Sequence, residues 1–140
     1  MGKINWGRVI LGGLLAGVVV SLFEGVAGWA FEQEYQAAIT ALGKTMEMTP
    51  TLMIYFLAFG FIYGIFAVWF YAAVRPRFGP GPKTAACAGF AVWLIGYLFP
   101  SVGWVVLGLF PAGLMMKACA VGLVETILGT VLGAWLYKEA

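Results

Sequence analysis

Four long apolar segments follow one another along the chain, each bounded by a short polar stretch. They cover about residues 9–31, 52–74, 84–106 and 113–137. Each segment has the ~20 residues that a helix rising ~1.5 Å per residue needs to cross ~30 Å of hydrocarbon. Helices satisfy their own backbone groups in lipid, whereas an open sheet does not. The pattern therefore predicts an all-α membrane protein, with residues 1–140 forming one transmembrane domain built as a four-transmembrane-helix bundle.

The composition supports the same class. Hydrophobic residues make up 63% of the 140 positions, against 8 basic and 6 acidic side chains. A soluble domain with so few charges would expose aggregation-prone surface. The first apolar segment lacks an A-x-A-like cleavage site and outlasts the apolar region of a signal peptide. We therefore expect it to remain in the mature protein as the first helix.

Basic residues predict the orientation of the bundle. Six cations lie near the amino terminus, in the second loop and near the carboxyl terminus, whereas the first loop is acidic overall. By the positive-inside rule, both termini and the second loop are expected in the cytoplasm, and the first loop outside. Three of these cations, in the second loop, either only enforce this orientation or also bind anionic lipid headgroups, at about 1 kcal/mol per charge. The six are Lys3, Arg8, Arg75, Arg77, Lys83 and Lys138.

The two longer loops carry different local signals. Four apolar residues of the first loop recur at helical spacing, which predicts a short amphipathic helix on the outer surface. Thr49 is the expected N-cap of the second span, with Pro50 as its first residue. The second loop, residues 75–83, holds three prolines and two glycines, so we expect it to be non-helical and stiff. The four apolar residues of the first loop are Tyr35, Ala38, Ile39 and Leu42.

The second loop and two later strings also carry a resemblance. The run YAAVRPRFGPGPKT at residues 71–84, GLVE at residues 122–125 and GAWLY at residues 133–137 resemble a group of short bacterial membrane proteins of uncharacterised function. The likeness covers most of the chain. It implies a location in the bacterial inner membrane, and it implies no activity, cofactor or substrate.

Missing residue types exclude several kinds of site. The chain has no histidine and no aspartate, which removes imidazole metal and haem sites, Ser-His catalysis and paired-aspartate metal sites. The two cysteines, Cys87 and Cys119, lie near opposite faces of the predicted membrane, too far apart for a disulfide within the chain. We therefore expect no metal, no cofactor, no catalytic residue and no nucleic-acid partner.

Glu24 lies inside the first apolar segment, where a carboxylate costs several kcal/mol unless it is paired, protonated or facing a polar cavity. Counting ~1.5 Å per residue from the cytoplasmic ends places Glu24 at ~22 Å, Tyr97 at ~20 Å and Lys117 at ~24 Å. These three residues are predicted to share one layer, with Glu24 and Lys117 within ion-pair reach. Alternatively, Lys117 extends to the water outside and Glu24 reaches the outer interface.

Glu125 lies in the fourth segment, at ~12 Å from the inner face and level with Trp93 and Tyr63. An indole N–H or a phenol O–H at mid-membrane needs an acceptor. Glu125 is therefore predicted to be buried, protonated and hydrogen-bonded to Trp93, Tyr63 or a helix carbonyl. Alternatively, the two aromatic residues only fill the core, and a neutral Glu125 bonds to another neighbour.

Pro100 lies late in the third span. It is expected either to kink that helix, freeing carbonyls near Gly96 and opening space beside Tyr97, or to be tolerated without consequence.

Small residues recur every four positions on two spans, which predicts faces where another helix can pack closely. Both glutamates lie beside these faces, and residues 22–28 and 123–129 share the pattern L-x-E-x-x-x-G. The shared pattern is either a coincidence in a glycine-rich chain or the trace of an inverted repeat. The small residues are Gly13, Gly17, Ser21 and Gly25 on the first span, and Ala118, Gly122, Thr126, Thr130 and Ala134 on the fourth.

Two functions remain open from the sequence. Intramembrane glutamates, a proline-interrupted helix and close-packing faces favour a proton- or cation-coupled carrier or narrow channel, with a homodimer favoured because four short helices enclose little volume. The alternative is a structural or accessory subunit that packs partner helices through its small-residue faces. A membrane enzyme is set aside, because Glu24 and Glu125 have no nucleophile or metal site beside them.

Overall fold

The computed structural model describes residues 3–139, which form an all-helical bundle without a strand in that range. The prediction of four helices long and apolar enough to cross a membrane is confirmed, with every boundary within a few residues of its predicted place. The third crossing is a composite of two α-helices with a π-helical segment between them. The elements are α1 (Trp6–Ala30), α2 (Glu32–Ala41), α3 (Pro50–Phe78), α4 (Pro82–Trp93), the π-helical segment (Leu94–Leu98), α5 (Phe99–Val106) and α6 (Ala112–Leu136).

Capping side chains set the first residues of two long helices. The side-chain oxygen of Asn5 accepts a hydrogen bond from the backbone N–H of Arg8 at 3.2 Å, which caps α1. Thr49 accepts from the N–H of Leu52 at 3.2 Å, and Pro50 follows as the first residue of α3. Both caps satisfy N–H groups that have no partner inside the helix. The predicted start of the second span is confirmed.

The expected non-helical loop over residues 75–83 is wrong for most of its length. Helix α3 continues through Pro76 to Phe78, and α4 begins at Pro82, so only residues 79–81 lie outside helices. Proline removes one hydrogen bond from the last turn. The N–H of Gly79 still bonds to the carbonyl of Arg75 at 2.8 Å, which holds that turn closed. Gly79 and Gly81 adopt positive φ values of 84° and 126°, so they make the reversal that the prolines alone do not.

Glycines bring α1 against α3 and against α6 at backbone contact distance. A Cβ atom on Gly64 of α3 would lie 2.6 Å from the carbonyl oxygen of Gly13. On the other side of α1, a Cβ on Gly133 would lie 2.6 Å from the carbonyl oxygen of Gly12. Real Cβ contacts are never this short, so only glycine permits these helix crossings.

The predicted small-residue faces are used mostly inside the chain. Gly13 and Gly17 face α3, and Ser21 lies against Gly60, where a Cβ would come within 2.7 Å of the serine Oγ. On α6, Gly122 lies against the ring of Tyr97, Thr126 bonds to Tyr63, and the hydroxyl of buried Thr130 donates to the carbonyl of Thr126 at 2.6 Å. Gly25 is the exception, because nothing in the described chain lies within 4 Å of the place its Cβ would take.

The two ends of the bundle differ in packing. At the terminal end, where α1 begins and α6 finishes, the backbone N–H of Asn5 donates to the Tyr137 hydroxyl at 3.4 Å, and Arg75 pairs with Glu139 at 2.9 Å. The opposite end, which carries α2 and is called the α2 end below, has a small apolar cluster of Ala38, Leu114 and Met115. The first turns of α3 (residues 53–59) are exposed on every side, and so is most of α1 after residue 23. The bundle is therefore closed at the terminal end and open between α1 and α3 at the α2 end.

We expect Gly17→Ala to lower the free energy of unfolding by about 1–3 kcal/mol, because the new methyl group would overlap the α3 backbone. A Cβ at Gly17 lies 2.8 Å from the Cα of Phe61. Gly25→Ala, on the same helix, is the matched control and should be neutral or gain about 0.5–1 kcal/mol from helix propensity. Unfolding in detergent micelles titrated with SDS, followed by circular dichroism, measures both. Equal stabilities of the two variants would contradict the packing described here.

Candidate functional site

The backbone register between α1 and α6 brings Glu24 and Glu125 together. Gly12 contacts Gly133, and a Cβ on Gly129 would lie 3.2 Å from the carbonyl oxygen of Ala16. Continued along these antiparallel helices, the register places Glu24 one helical turn closer to the α2 end than Glu125. Helical side chains lean toward the amino terminus of their own helix. In an antiparallel pair the two carboxyl groups therefore lean toward each other and close the gap.

Both carboxyl groups meet at the hydroxyl of Tyr97. The Tyr97 oxygen lies 2.7 Å from Oε1 of Glu24 and is also in hydrogen-bond contact with Oε1 of Glu125. The two carboxyl oxygens are thus no more than two hydrogen-bond lengths apart. We call Glu24, Tyr97 and Glu125 the carboxyl-phenol cluster. It joins α1, the third crossing and α6 at one atom.

Neighbouring residues fix the ring of Tyr97. On one side the ring lies against Gly122, where a Cβ would come within 2.5 Å of it. On another side the ring of Tyr63 meets it edge to face, with centroids 5.9 Å apart and planes at 79°. Any larger residue at position 122 would displace the ring. The phenol is therefore held in place by packing and does not depend on its hydrogen bonds alone.

Tyr97 belongs to the π-helical segment Leu94–Leu98. The N–H of Phe99 bonds to the carbonyl of Leu94, five residues back, which is the π spacing. Pro100 follows directly and has no N–H to give to the helix. At the position of the predicted kink the structure thus has a π turn, and the Tyr97 ring beside it is closely packed against Gly122 and Tyr63. Single π turns occur frequently at functional sites, because the extra residue changes which side chains face inward.

The cluster runs from the open surface of the bundle into its interior. Glu24 is exposed, whereas Glu125 has 0% of its surface accessible. Oε2 of Glu125 has no hydrogen-bond partner among residues 3–139. The prediction that Glu125 is buried in the bundle is confirmed. An unpaired carboxylate oxygen in such a place costs free energy unless a proton or a cation satisfies it.

The hydrogen-bond count shows that the cluster must hold a proton of its own. A phenol carries one hydrogen, so Tyr97 can donate to only one of the two carboxyl groups. The second contact is attractive only when that carboxyl group donates its own proton to the phenol oxygen. At least one of Glu24 and Glu125 is therefore protonated, unless a cation replaces that proton.

The predicted ion pair between Glu24 and Lys117 is wrong. Nζ of Lys117 lies 2.6 Å from Oε1 of Glu34 on α2 and 5.5 Å from the centroid of the Phe31 ring. Lys117 is close to the start of α6, and its side chain leans toward that start. It therefore points away from the cluster toward the α2 end, as in the alternative that has Lys117 extend outward. No basic side chain of the described residues lies within ion-pair distance of the cluster.

The predicted partners of Glu125 are also wrong. The indole N–H of Trp93 donates to the backbone carbonyl of Cys119 at 2.9 Å, and the hydroxyl of Tyr63 bonds to that of Thr126 at 3.1 Å. The Cys119 thiol in turn contacts the carbonyl of Tyr97 at 3.8 Å. These bonds attach the π-helical segment and α3 to α6. They position Tyr97 beside Glu125 but leave the carboxyl group itself to the phenol.

The second loop's three cations lie at the terminal end, far along the bundle from the cluster. Arg75 pairs with Glu139 and stacks over the ring of Tyr137 at 5.6 Å, whereas Arg77 and Lys83 are exposed. These residues are thus separate from the polar centre. Arg77 and Lys83 form no ion pair within residues 3–139.

Tyr35 on α2 lies near the cluster and was not expected there. Burial raises the pKa of its phenol, and the neighbouring Glu24 carboxyl raises it further. Tyr35 therefore stays protonated and neutral throughout the physiological range. It therefore adds no charge beside the cluster.

Infrared spectroscopy can test the proton count. At neutral pH in choline buffer, we expect the carbonyl stretch of a protonated carboxylic acid, because one carboxyl group must donate to Tyr97. The band should be absent from the double variant Glu24→Gln with Glu125→Gln and present in Glu34→Gln, the control for an exposed carboxylate. A wild-type spectrum with carboxylate bands alone would contradict the assignment.

The cluster's donor set is entirely oxygen, two carboxyl groups and a phenol, and its charge is balanced by no side chain of the described residues. Comparison of the chain with models of known protein families, with curated proteins and with solved structures finds no match.

Proposed function

We propose that this chain is a proton- or cation-coupled carrier or narrow channel of the bacterial inner membrane, and that Glu24 and Glu125 carry the coupling. One observation supports this most directly. Two carboxyl groups from different helices share the Tyr97 hydroxyl without a basic partner. Intramembrane carboxyl groups in transporters commonly mark the path of a proton or an ion.

A purely structural role explains the arrangement less well. A buried carboxyl group kept only for stability is better replaced by an apolar residue or paired with a fixed cation. The chain has a lysine one or two turns away, and that lysine pairs with Glu34 instead. The charge of the cluster is thus left to an exchangeable ion, which is the property that a coupling site needs.

The geometry also supplies a short proton relay. When Glu24 donates a proton to the oxygen of Tyr97, Tyr97 can release its own proton to Glu125, so one proton moves inward and the phenol is restored. Glu24 is exposed toward the open α2 end and Glu125 is buried, so the relay runs from surface to interior. Beyond Glu125, the glycine contacts of α1 with α3 and α6 close the bundle toward the terminal end. Transport requires those contacts to loosen.

The second candidate remains an accessory subunit that packs partner helices. Most of its proposed docking residues are occupied by the chain's own helices, which weakens it. Gly25 favours it, because this small residue beside Glu24 has open space around it. We place the contact of a homo-oligomer, with a dimer favoured, on the same open face. The accessory subunit and the homo-oligomer thus differ only in whether the partner is another protein or a second copy of this chain.

For orientation, we propose cytoplasmic termini, an outer α2 that lies as an amphipathic helix on the membrane surface, and lipid headgroups around Arg75, Arg77 and Lys83. The charge distribution supports this. The terminal end carries six cations and Glu139, whereas the α2 end carries three glutamates and two lysines. By the positive-inside rule the more basic end stays in the cytoplasm.

Cysteine labelling tests this orientation. In a variant with Cys87 and Cys119 replaced by alanine, we expect Lys44→Cys to react with a membrane-impermeant maleimide on intact cells. Lys83→Cys should react only after permeabilisation, because its loop is cytoplasmic. Reaction of Lys83→Cys on intact cells would reverse the topology.

Proton flux tests the proposed coupling. In liposomes with an inward proton gradient, NaCl in the lumen, and valinomycin with equal K⁺ on both sides to dissipate any potential, the wild-type protein should acidify the lumen, as reported by a trapped pH dye. Glu125→Gln should fold normally, because glutamine keeps the shape and can accept from Tyr97, but should lower the flux by at least about tenfold, since it cannot release a proton. Glu24→Gln should behave alike.

Glu34→Gln is the matched control, because Glu34 is an exposed carboxylate outside the cluster, and its flux should match that of the wild type. Circular dichroism confirms that each variant is folded. A Glu125→Gln variant with full pH-dependent flux would remove Glu125 from the proposed coupling, and a folded wild-type protein without flux would end the transport proposal and favour the accessory subunit.

A further inference from the structure

The unpartnered oxygen of Glu125 is the strongest sign of a ligand in the molecule. Oε1 of this residue is bonded to Tyr97, but Oε2 is fully buried and has no partner among residues 3–139. A proton on Oε1 or Oε2 neutralises the group and still leaves one oxygen unused. A cation held by the carboxylate would occupy that oxygen directly.

The atoms around the cluster suit one class of cation. They are carboxylate and hydroxyl oxygens, with no nitrogen or thiolate ligand among Glu24, Tyr97 and Glu125. Oxygen ligands favour hard cations over transition metals. Divalent ions such as Ca²⁺ take 6–8 oxygens, more than two carboxyl groups and one phenol can provide. A monovalent alkali-metal cation requires less compensating charge, which one ionised carboxyl group supplies.

Charge counting gives the stoichiometry. With both carboxyl groups ionised and Tyr97 neutral, the cluster carries two negative charges. Two protons neutralise it, and so do one proton and one alkali-metal cation. When the cluster holds two protons, binding of the cation therefore displaces one of them, which leaves as a hydronium ion to water. The remaining proton keeps the hydrogen bond between Tyr97 and one carboxyl group.

Groups on the neighbouring elements supply no competing positive charge. Tyr63 on α3 is neutral and bonded to Thr126, and Tyr35 on α2 remains protonated. Lys117 on α6 is neutralised by Glu34. No other titratable side chain of the described residues bonds to the cluster, so its charge depends on protons and bound cations alone.

The charges at the two ends favour approach from one side. The α2 end carries Glu32, Glu34 and Glu47 against Lys44 and Lys117, whereas the terminal end carries six cations against Glu139. Such an asymmetric field attracts cations to the α2 end and repels them from the other. Exposed Glu24 lies on the attractive side.

We propose that the carboxyl-phenol cluster binds one monovalent alkali-metal cation in exchange for one proton, and that the ion enters from the α2 end. This inference rests on the proposed function and names the class of ion that the same site takes, for which Na⁺ is the probe used below. The exchange is electroneutral at the site, because one monovalent cation replaces another.

Isothermal titration calorimetry on the full-length protein in detergent tests the exchange. Titration with NaCl against a choline chloride control should show saturable binding and the release of about one proton per Na⁺, measured from the heats in two buffers of different ionisation enthalpy. The apparent affinity for Na⁺ should fall about tenfold per pH unit as the pH is lowered into the range where the site holds both protons.

Variants locate the site. Glu125→Gln and Glu24→Gln should each lose saturable Na⁺ binding, whereas Glu34→Gln and Glu32→Gln should retain the wild-type affinity. Because Glu24 is exposed, the Glu24→Gln variant should fold even if the Glu125→Gln variant does not. The pH dependence of Na⁺ binding is measured on the wild-type protein and does not depend on any variant.

Binding of Na⁺ that is insensitive to pH, or that persists in folded Glu24→Gln, would overturn this inference. Proton flux in liposomes without any Na⁺ binding would overturn it and leave the proposed function intact. Proton-linked Na⁺ binding without flux would do the reverse, supporting the site while removing the transport proposal.

Discussion

Two carboxyl groups held against one phenol, inside helices that are apolar along most of their length, constrain the structure around them. The contact joins α1, α6 and the π-helical segment at a single oxygen atom, so these elements cannot shift separately without breaking it. It also cannot exist without a proton or cation, since Tyr97 has one hydrogen for two acceptors. Structure and protonation are thus linked at this point: a change in the charge of the cluster changes which helices it holds together.

The glycine contacts of the terminal half make this arrangement possible. Gly12 against Gly133 and Gly13 against Gly64 set the register of α1 with its two neighbours. That register determines that Glu24 lies one turn from Glu125 and that their side chains converge. Without close backbone approach, α1 would stand farther from α6 and the carboxyl groups would not reach a common tyrosine. The glycine contacts in the terminal half therefore determine which polar side chains meet in the carboxyl-phenol cluster.

The sequence predicts the fold far better than the site. Span length and hydropathy locate four helices, and Thr49 with Pro50 marks a helix start, because these features depend on local chain properties. Which side chains meet depends also on how the helices pack and on the direction in which each side chain leans. Cα depths put Glu24 and Glu125 ~10 Å apart, and that estimate ignores the lean of each side chain toward its own amino terminus. The π turn before Pro100 also reorients Tyr97, and its extra residue has no signal beyond the proline. Lys117 also leans toward the start of its helix, and this carries its amine away from Glu24 and toward Glu34. The predicted ion pair with Glu24 therefore does not form.

The bundle is closed in its terminal half and open in its α2 half, so the carboxyl-phenol cluster is accessible from the α2 end alone. Glu24 is exposed where α1 and α3 separate, and Glu125 is buried where the helices close again. Backbone contacts close the bundle beyond Glu125, and within residues 3–139 Tyr97 is the side chain that bonds to both carboxyl groups. The phenol is itself fixed by Gly122 and Tyr63, which leaves little freedom to move it alone. In the proposed transport cycle, release toward the terminal end would therefore require movement of α1 along its glycine contacts. A change in the charge between Glu24 and Glu125 would act directly on that helix, because Glu24 belongs to it.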